Sequence, residues 1–179
     1  LIQTFLIIYF WDYPQGSDQG EYMRIAKECF EAGEWYPTTK HIYTDYIWAP
    51  GLINYLILQL KIFGTLNLNM LFNLLMNIGI IILIFQLGKH FFTEKTATIA
   101  VILWCFLYSN LMIVIPAGTE IPFLFLVLAS FTLCLYPKSG LLFIAGVLFA
   151  LANWVRPLVI IFMLSVVVYM FLNKYKWFH

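Results

Sequence analysis

Long apolar runs dominate this chain, and one polar island interrupts them. Residues 1–11 are apolar, residues 12–49 carry most of the charge, and residues 50–172 return to apolar runs joined by short polar turns. The island opens with Pro14, Gly16 and Ser17, a loop composition. Tyr22, Ile25, Ala26, Cys29 and Phe30 then recur at helical spacing, with Arg24, Lys27, Glu28 and Glu31 mostly on other faces. This pattern predicts an amphipathic helix over 18–32, stopped at Gly33 and lying along a membrane interface. Trp35, Tyr36, Tyr43, Tyr46 and Trp48 follow, and such aromatics suit the headgroup level of a bilayer.

Beyond the island, Pro50-Gly51 opens a short run, Leu52–Phe63, which Asn54, Gln59 and Lys61 interrupt and Gly64 closes. Asn69–Gly88 and Thr96–Ile115 each have the roughly 20 residues that a membrane crossing needs. Pro116 and Pro122 bracket a break, after which Phe123–Tyr136 is apolar again. Leu141–Leu172 as one helix would be about 48 Å long, more than one hydrocarbon core, so Arg156-Pro157 is expected to divide it. Residues 1–11 read as the end of a first membrane helix. The expected fold class is all-α, a polytopic helical membrane protein. The runs lack the strand-like alternation of a membrane barrel. Leu52–Phe63 is read either as a crossing or as a re-entrant segment, and the two readings give opposite placements for Lys89, Lys95 and Lys138.

Composition agrees with the pattern. Hydrophobic residues make up 63% of the chain and charged residues 11%, against about a quarter in soluble domains. A net charge of +1 gives no electrostatic case for nucleic acid. Cys29, Cys105 and Cys134 are scattered and match neither a disulfide framework nor a zinc site. No P-loop or GxGxxG supports nucleotide chemistry. The chain starts without Met or a basic leader, and the expectation is a piece of a longer protein.

Seven of the nine acidic residues lie in the island: Asp12, Asp18, Glu21, Glu28, Glu31, Glu34 and Asp45. Asp18 has two compatible readings. With Glu21 it resembles a capping box at the start of the helix. It is also a carboxylate suited to act as general base or metal ligand at a membrane surface. Arg156 stands inside an apolar run, where a charge costs about 2.5–3.5 kcal/mol on insertion scales, and its guanidinium suits a lipid phosphate. Its other reading is an interfacial residue with its head in water. Glu120, between two prolines, reads as a cavity-facing carboxylate paired with Arg156 or holding a metal, or as an acid favoured by a helix N-terminus. His41 and Asp45 have metal-ligand spacing but sit in a stretch without helical pattern, where a solvated loop is the alternative. Asn54, Asn69, Asn73 and Asn77 are expected to bond between helices. Lys89, His90 and Lys95 read as a turn facing lipid headgroups.

Taken together, these landmarks resemble a known superfamily. Ser17-Asp18-Gln19-Gly20-Glu21-Tyr22, followed by Ala26 and Ala32-Gly33, resembles the first extracytoplasmic loop of the GT-C glycosyltransferases. The bacterial relatives of protein O-mannosyltransferases and of aminoarabinose transferases are most similar. Ala49-Pro50-Gly51 with Phe63-Gly64, Asn73 with Leu87-Gly88-Lys89, Thr119-Glu120-Ile121-Pro122 and Val155-Arg156-Pro157 fall in the same order as landmarks of that family. The resemblance spans essentially the whole chain, through short motifs.

The resemblance implies transfer of a sugar from a polyprenyl-phosphate carrier to an extracytoplasmic lipid, glycan or protein hydroxyl. It implies Asp18 as the catalytic acid or base, with Tyr22, Glu120 and Arg156 toward substrate. It further implies a multi-pass protein of the bacterial cytoplasmic membrane, with the 12–49 loop outside. The mannosyltransferases carry Asp-Glu where this chain has Asp18-Gln19, which leaves Glu21 as the nearest second carboxylate. The aminoarabinose transferases carry Glu-Lys where this chain has Trp48-Ala49, so Asp45 and Lys40 are the positional substitutes. Asp45 and Glu21 are therefore the candidate ligands for a divalent metal ion, and Lys40 the candidate phosphate contact. The chain would hold the N-terminal catalytic half of such an enzyme. The alternatives from other classes are a transporter or flippase of lipid-linked sugars and a structural membrane protein.

Overall fold

A computed structural model describes residues 2–11, 16–38, 50–136 and 138–172. These residues build helices and no strands. The helices are α1 (Ile2–Tyr9), α2 (Ser17–Glu31), α3 (Pro50–Phe63), α4 (Asn69–Phe91), α5 (Glu94–Phe106), α6 (Tyr108–Met112), α7 (Glu120–Cys134), α8 (Ser139–Val155) and α9 (Val159–Leu172). The all-α expectation holds.

The helix ends follow local chemistry. Gly33, at φ 74°, closes α2. Its amide donates to the Phe30 carbonyl at 3.0 Å, and the Glu34 amide donates to that of Cys29 at 2.9 Å. This is the paired bonding of a Schellman stop, which needs a left-handed residue. Pro50 starts α3, where its missing N–H has no intrahelical partner to lose. The Thr93 hydroxyl caps α5 by accepting from the Thr96 amide at 3.2 Å. Arg156 is extended (φ −151°, ψ 119°), as a residue before proline prefers, and it separates α8 from α9. The division of Leu141–Leu172 falls where the sequence places it.

One expected span is corrected. Thr96–Ile115 is not continuous: α5 ends at Phe106, Leu107 is extended (ψ 123°), and α6 is a separate short helix. The Asn110 side-chain amide donates to the Trp104 carbonyl at 3.1 Å, so a side chain takes a bond that the helix ladder would otherwise use. Ser109-Asn110 is the sequence signal for this competition.

Packing divides into three apolar clusters. The first joins α2 to α3 through Ile25, Ala26 and Cys29 against Leu52, Ile53, Leu56 and Ile57. The second joins α7, α8 and α9 through Val127, Phe149, Ala152 and Val159. The third is small and centres on Ile7, Met70 and Val114. Helix α4 runs between α5 and α7. At 23 residues it is the one described helix long and apolar enough to cross a membrane, and only 22% of its most apolar window is buried. Helices α3, α7, α8 and α9 are apolar but shorter. Large apolar side chains face outward along several helices, among them Phe106 (75% exposed), Phe143 (73%) and Phe171 (78%).

Candidate functional site

Two interruptions of regular helix, 36 positions apart in sequence, meet in space. Glu120 begins α7, and Arg156 is the extended residue after α8. The Arg156 guanidinium Nη1 donates to Glu120 Oε1 at 3.3 Å. Both side chains stay accessible, at 41% and 50%. Local backbone makes the meeting possible. Pro157 drives Arg156 out of helical geometry, which swings its side chain away from the α8 ladder. Gly118 leaves space for the Glu120 carboxylate, into which a Cβ at 118 would intrude. The segment before Glu120 is held in turn: the Asn73 amide donates to the carbonyls of Val114 at 3.2 Å and Pro116 at 3.0 Å.

The pair sits beside an apolar groove of about 440 Å³. Its wall includes Pro122 and Val155, neighbours of the charged pair, together with Leu58, Phe125, Trp154 and Trp35. Helix α3 forms one side of the groove. Gly51 lets α3 approach the end of α8, where a Cβ would come within 2.6 Å of the Trp154 carbonyl carbon and the Val155 nitrogen. One turn further on, Asn54 holds the chain that leaves α2. Its Oδ1 accepts from the Tyr36 amide at 2.9 Å and its Nδ2 donates to the Tyr36 carbonyl at 2.7 Å. Helix α3 thus ties the island on one side to the Arg156 break on the other.

Helix α2 presents its polar face outward. Asp18 is exposed in its first turn and has no hydrogen-bond or ion-pair partner among the described residues. The predicted capping box does not form. Gly16, not Asp18, is the N-cap, and no side chain caps the helix. Glu21 turns toward Arg24, with Oε2 at 2.7 Å from Nη2, rather than back to the helix start. Arg24 also pairs with Glu28. The Arg24 hydrogen bond, with its charge in support, holds the Glu21 carboxyl below the usual carboxylate range. Tyr22 packs against the α2–α3 cluster.

The predicted set therefore divides. Glu120 and Arg156 meet, one of the readings open to them, and Glu120 also stands in the first turn of α7, which fits the other. Asp18 forms no hydrogen bond or ion pair with either. Glu21, a candidate metal ligand, is engaged by Arg24. Asp45, Lys40 and His41 lie outside the described residues. Among the described residues no three His, Cys, Asp or Glu side chains converge.

The asparagines do bond between segments. Besides Asn54 and Asn73, Asn69 accepts from Gln59 at 3.2 Å. Asn77 donates to Gln3 at 3.0 Å and accepts from the Trp104 indole at 3.0 Å. Lys89 pairs with Glu94 at 3.5 Å across the α4–α5 turn.

In the sequence Gly51 reads as a helix opener, not as a contact point, and Lys61 as an interruption of an apolar run. The Lys61 ammonium lies 4.0 Å from the centroid of the Trp35 ring. A basic residue on an apolar helix next to an interfacial tryptophan was the available signal. No protein-family model, curated protein or solved structure matches this chain.

Proposed function

We propose that this chain is the membrane-embedded catalytic part of a GT-C-like glycosyltransferase, which moves a sugar from a polyprenyl-phosphate carrier to an extracytoplasmic hydroxyl. The observation that carries the reading is the Glu120–Arg156 pair at 3.3 Å, formed at two helix breaks, accessible, and beside an apolar groove. Ionisable groups on apolar segments are costly and mark sites of chemistry or substrate passage. The many outward-facing large apolar side chains support a lipid surrounding, since water-exposed surfaces seldom carry so many.

In this reading Asp18, exposed and without a partner among the described residues, takes the proton of the acceptor hydroxyl. The hydroxyl oxygen attacks the anomeric carbon, and the bond from that carbon to the carrier phosphate oxygen breaks. Arg156 balances the negative charge on the departing phosphate, exchanging part of its bond to Glu120 for the phosphate oxygens. A single displacement of this kind inverts the anomeric centre. Helix α3 supports the arrangement mechanically, because it packs on α2 and also abuts the end of α8.

The test is sugar transfer from a polyprenyl-phosphate donor by the full-length protein in lipid. Asp18→Asn is expected to lower the rate by about 10²- to 10⁴-fold, the range of a lost general base, with membrane insertion unchanged. Unaltered transfer would remove Asp18 from the chemistry. Movement of the intact lipid-linked sugar across the bilayer without any transfer would replace the enzyme reading with a transporter.

A further inference from the structure

A second charge stands beside the groove, on a tryptophan of its wall, and the proposed chemistry does not use it. Helix α3 carries Leu58, a groove residue, and Lys61 one turn later on the neighbouring face. Ten positions of helix, about 15 Å, separate Gly51 near Arg156 from Lys61. Lys61 is exposed, and its ammonium rests on the ring of Trp35, which also lines the groove. The charges near the groove are not equivalent. Arg156 is balanced by Glu120, whereas Lys61 has no ion-pair partner among the described residues. Resting on an aromatic face leaves donors of the ammonium free to point outward.

We propose that this corner is a headgroup site for an anionic bilayer phospholipid: the phosphodiester meets Lys61, and an acyl chain lies along the groove. Three observations select this occupant. The groove wall is mostly apolar, which suits hydrocarbon, and the Asn54 amide within it is already taken up by Tyr36. Leu58, Leu151 and Trp154 are between 41% and 47% exposed, so the groove opens sideways onto the apolar exterior, from which a lipid enters. One unbalanced ammonium complements the single negative charge of a phosphodiester, and a half-exposed tryptophan beside it belongs at headgroup depth. The inference rests on the membrane reading of the exterior and not on glycosyl transfer.

Native mass spectrometry of the full-length protein, loaded from mixed phosphatidylglycerol and phosphatidylcholine, tests it. Wild type should retain phosphatidylglycerol preferentially. Lys61→Gln should lower that preference about fivefold. Lys61→Arg should restore most of it. Leu151→Trp, which fills the groove, should lower retention of both lipids while Lys61→Gln leaves phosphatidylcholine unchanged. Equal retention of the two lipids by wild type would overturn the site, as would a preference insensitive to Lys61. A polyprenyl monophosphate that displaces phosphatidylglycerol at equal concentration in a Lys61-dependent way would overturn the assignment to a bilayer lipid. Failure to bind any lipid would instead sink the membrane reading.

Discussion

Single residues decide how closely the pieces of this protein approach. Gly51 is the clearest case, because its missing side chain is what lets α3 meet the α8 backbone. Gly51→Ala is expected to destabilise the protein by about 1–3 kcal/mol, the usual cost of forcing atoms into a filled space. Gly146→Ala is the control, since a Cβ there meets nothing within 4 Å. It should be neutral or mildly stabilising, as alanine favours a helix over glycine by up to about 1 kcal/mol. Thermal unfolding of the two purified variants makes the comparison. Equal losses would mean that the α3–α8 approach carries no energetic weight. Neither outcome was readable from Pro50-Gly51 alone, because a glycine after a proline looks the same whether it opens a helix or admits a neighbour.

At the scale of elements, α2 shows where pattern reading works and where it stops. Its apolar spacing gave the helix within one residue at each end, Ser17–Glu31 against 18–32. Of the stripe, Ile25, Ala26 and Cys29 are buried and Tyr22 is partly so, while Phe30, next to the helix end, is exposed. The charge pairing was less legible, because Glu21 had two partners within reach: the helix start behind it and Arg24 ahead. The structure chooses Arg24, and pH dependence follows from that choice. Glu21 has a depressed folded-state pKa. Its contribution is therefore complete above the unfolded value of about 4.3, and is lost as pH falls through the lower folded value. Helicity of α2, followed by amide exchange in an acid titration, should drop in that window. Arg24→Gln should move the drop upward, toward the ordinary carboxylate range. A drop unmoved by Arg24→Gln would show that another carboxylate governs it. The effect is expected to be small, since both partners are solvent-exposed.

For the whole molecule, the question is what covers its surface. Among the described residues one helix, α4, meets the length of a membrane crossing, and four shorter apolar helices accompany it. Their outward residues, from Phe143 on α8 to Phe171 on α9, remain uncovered by protein. The protein is expected to stay with the membrane fraction after alkaline carbonate washing and to need detergent for release. Release by carbonate alone would mean that the apolar exterior is covered by something other than a bilayer.

The sequence by itself determined the helical class, the amphipathic island helix, and the breaks at Gly33, Pro116–Pro122 and Arg156-Pro157. These are local matters: apolar periodicity, the conformations open to glycine, and the steric limits that proline sets on its neighbour. The sequence also supplied Arg156 as a charge too costly to lie in an apolar run without cause, and Glu120 as an acid in a break between two such runs. Only the tertiary structure decided that these two residues meet, that α5 and α6 are separate, and that Lys61 rests on a tryptophan of the groove wall. Such facts depend on which backbone approaches which. That is set by the sum of many small packing contacts and by where a glycine or an asparagine allows or holds the approach.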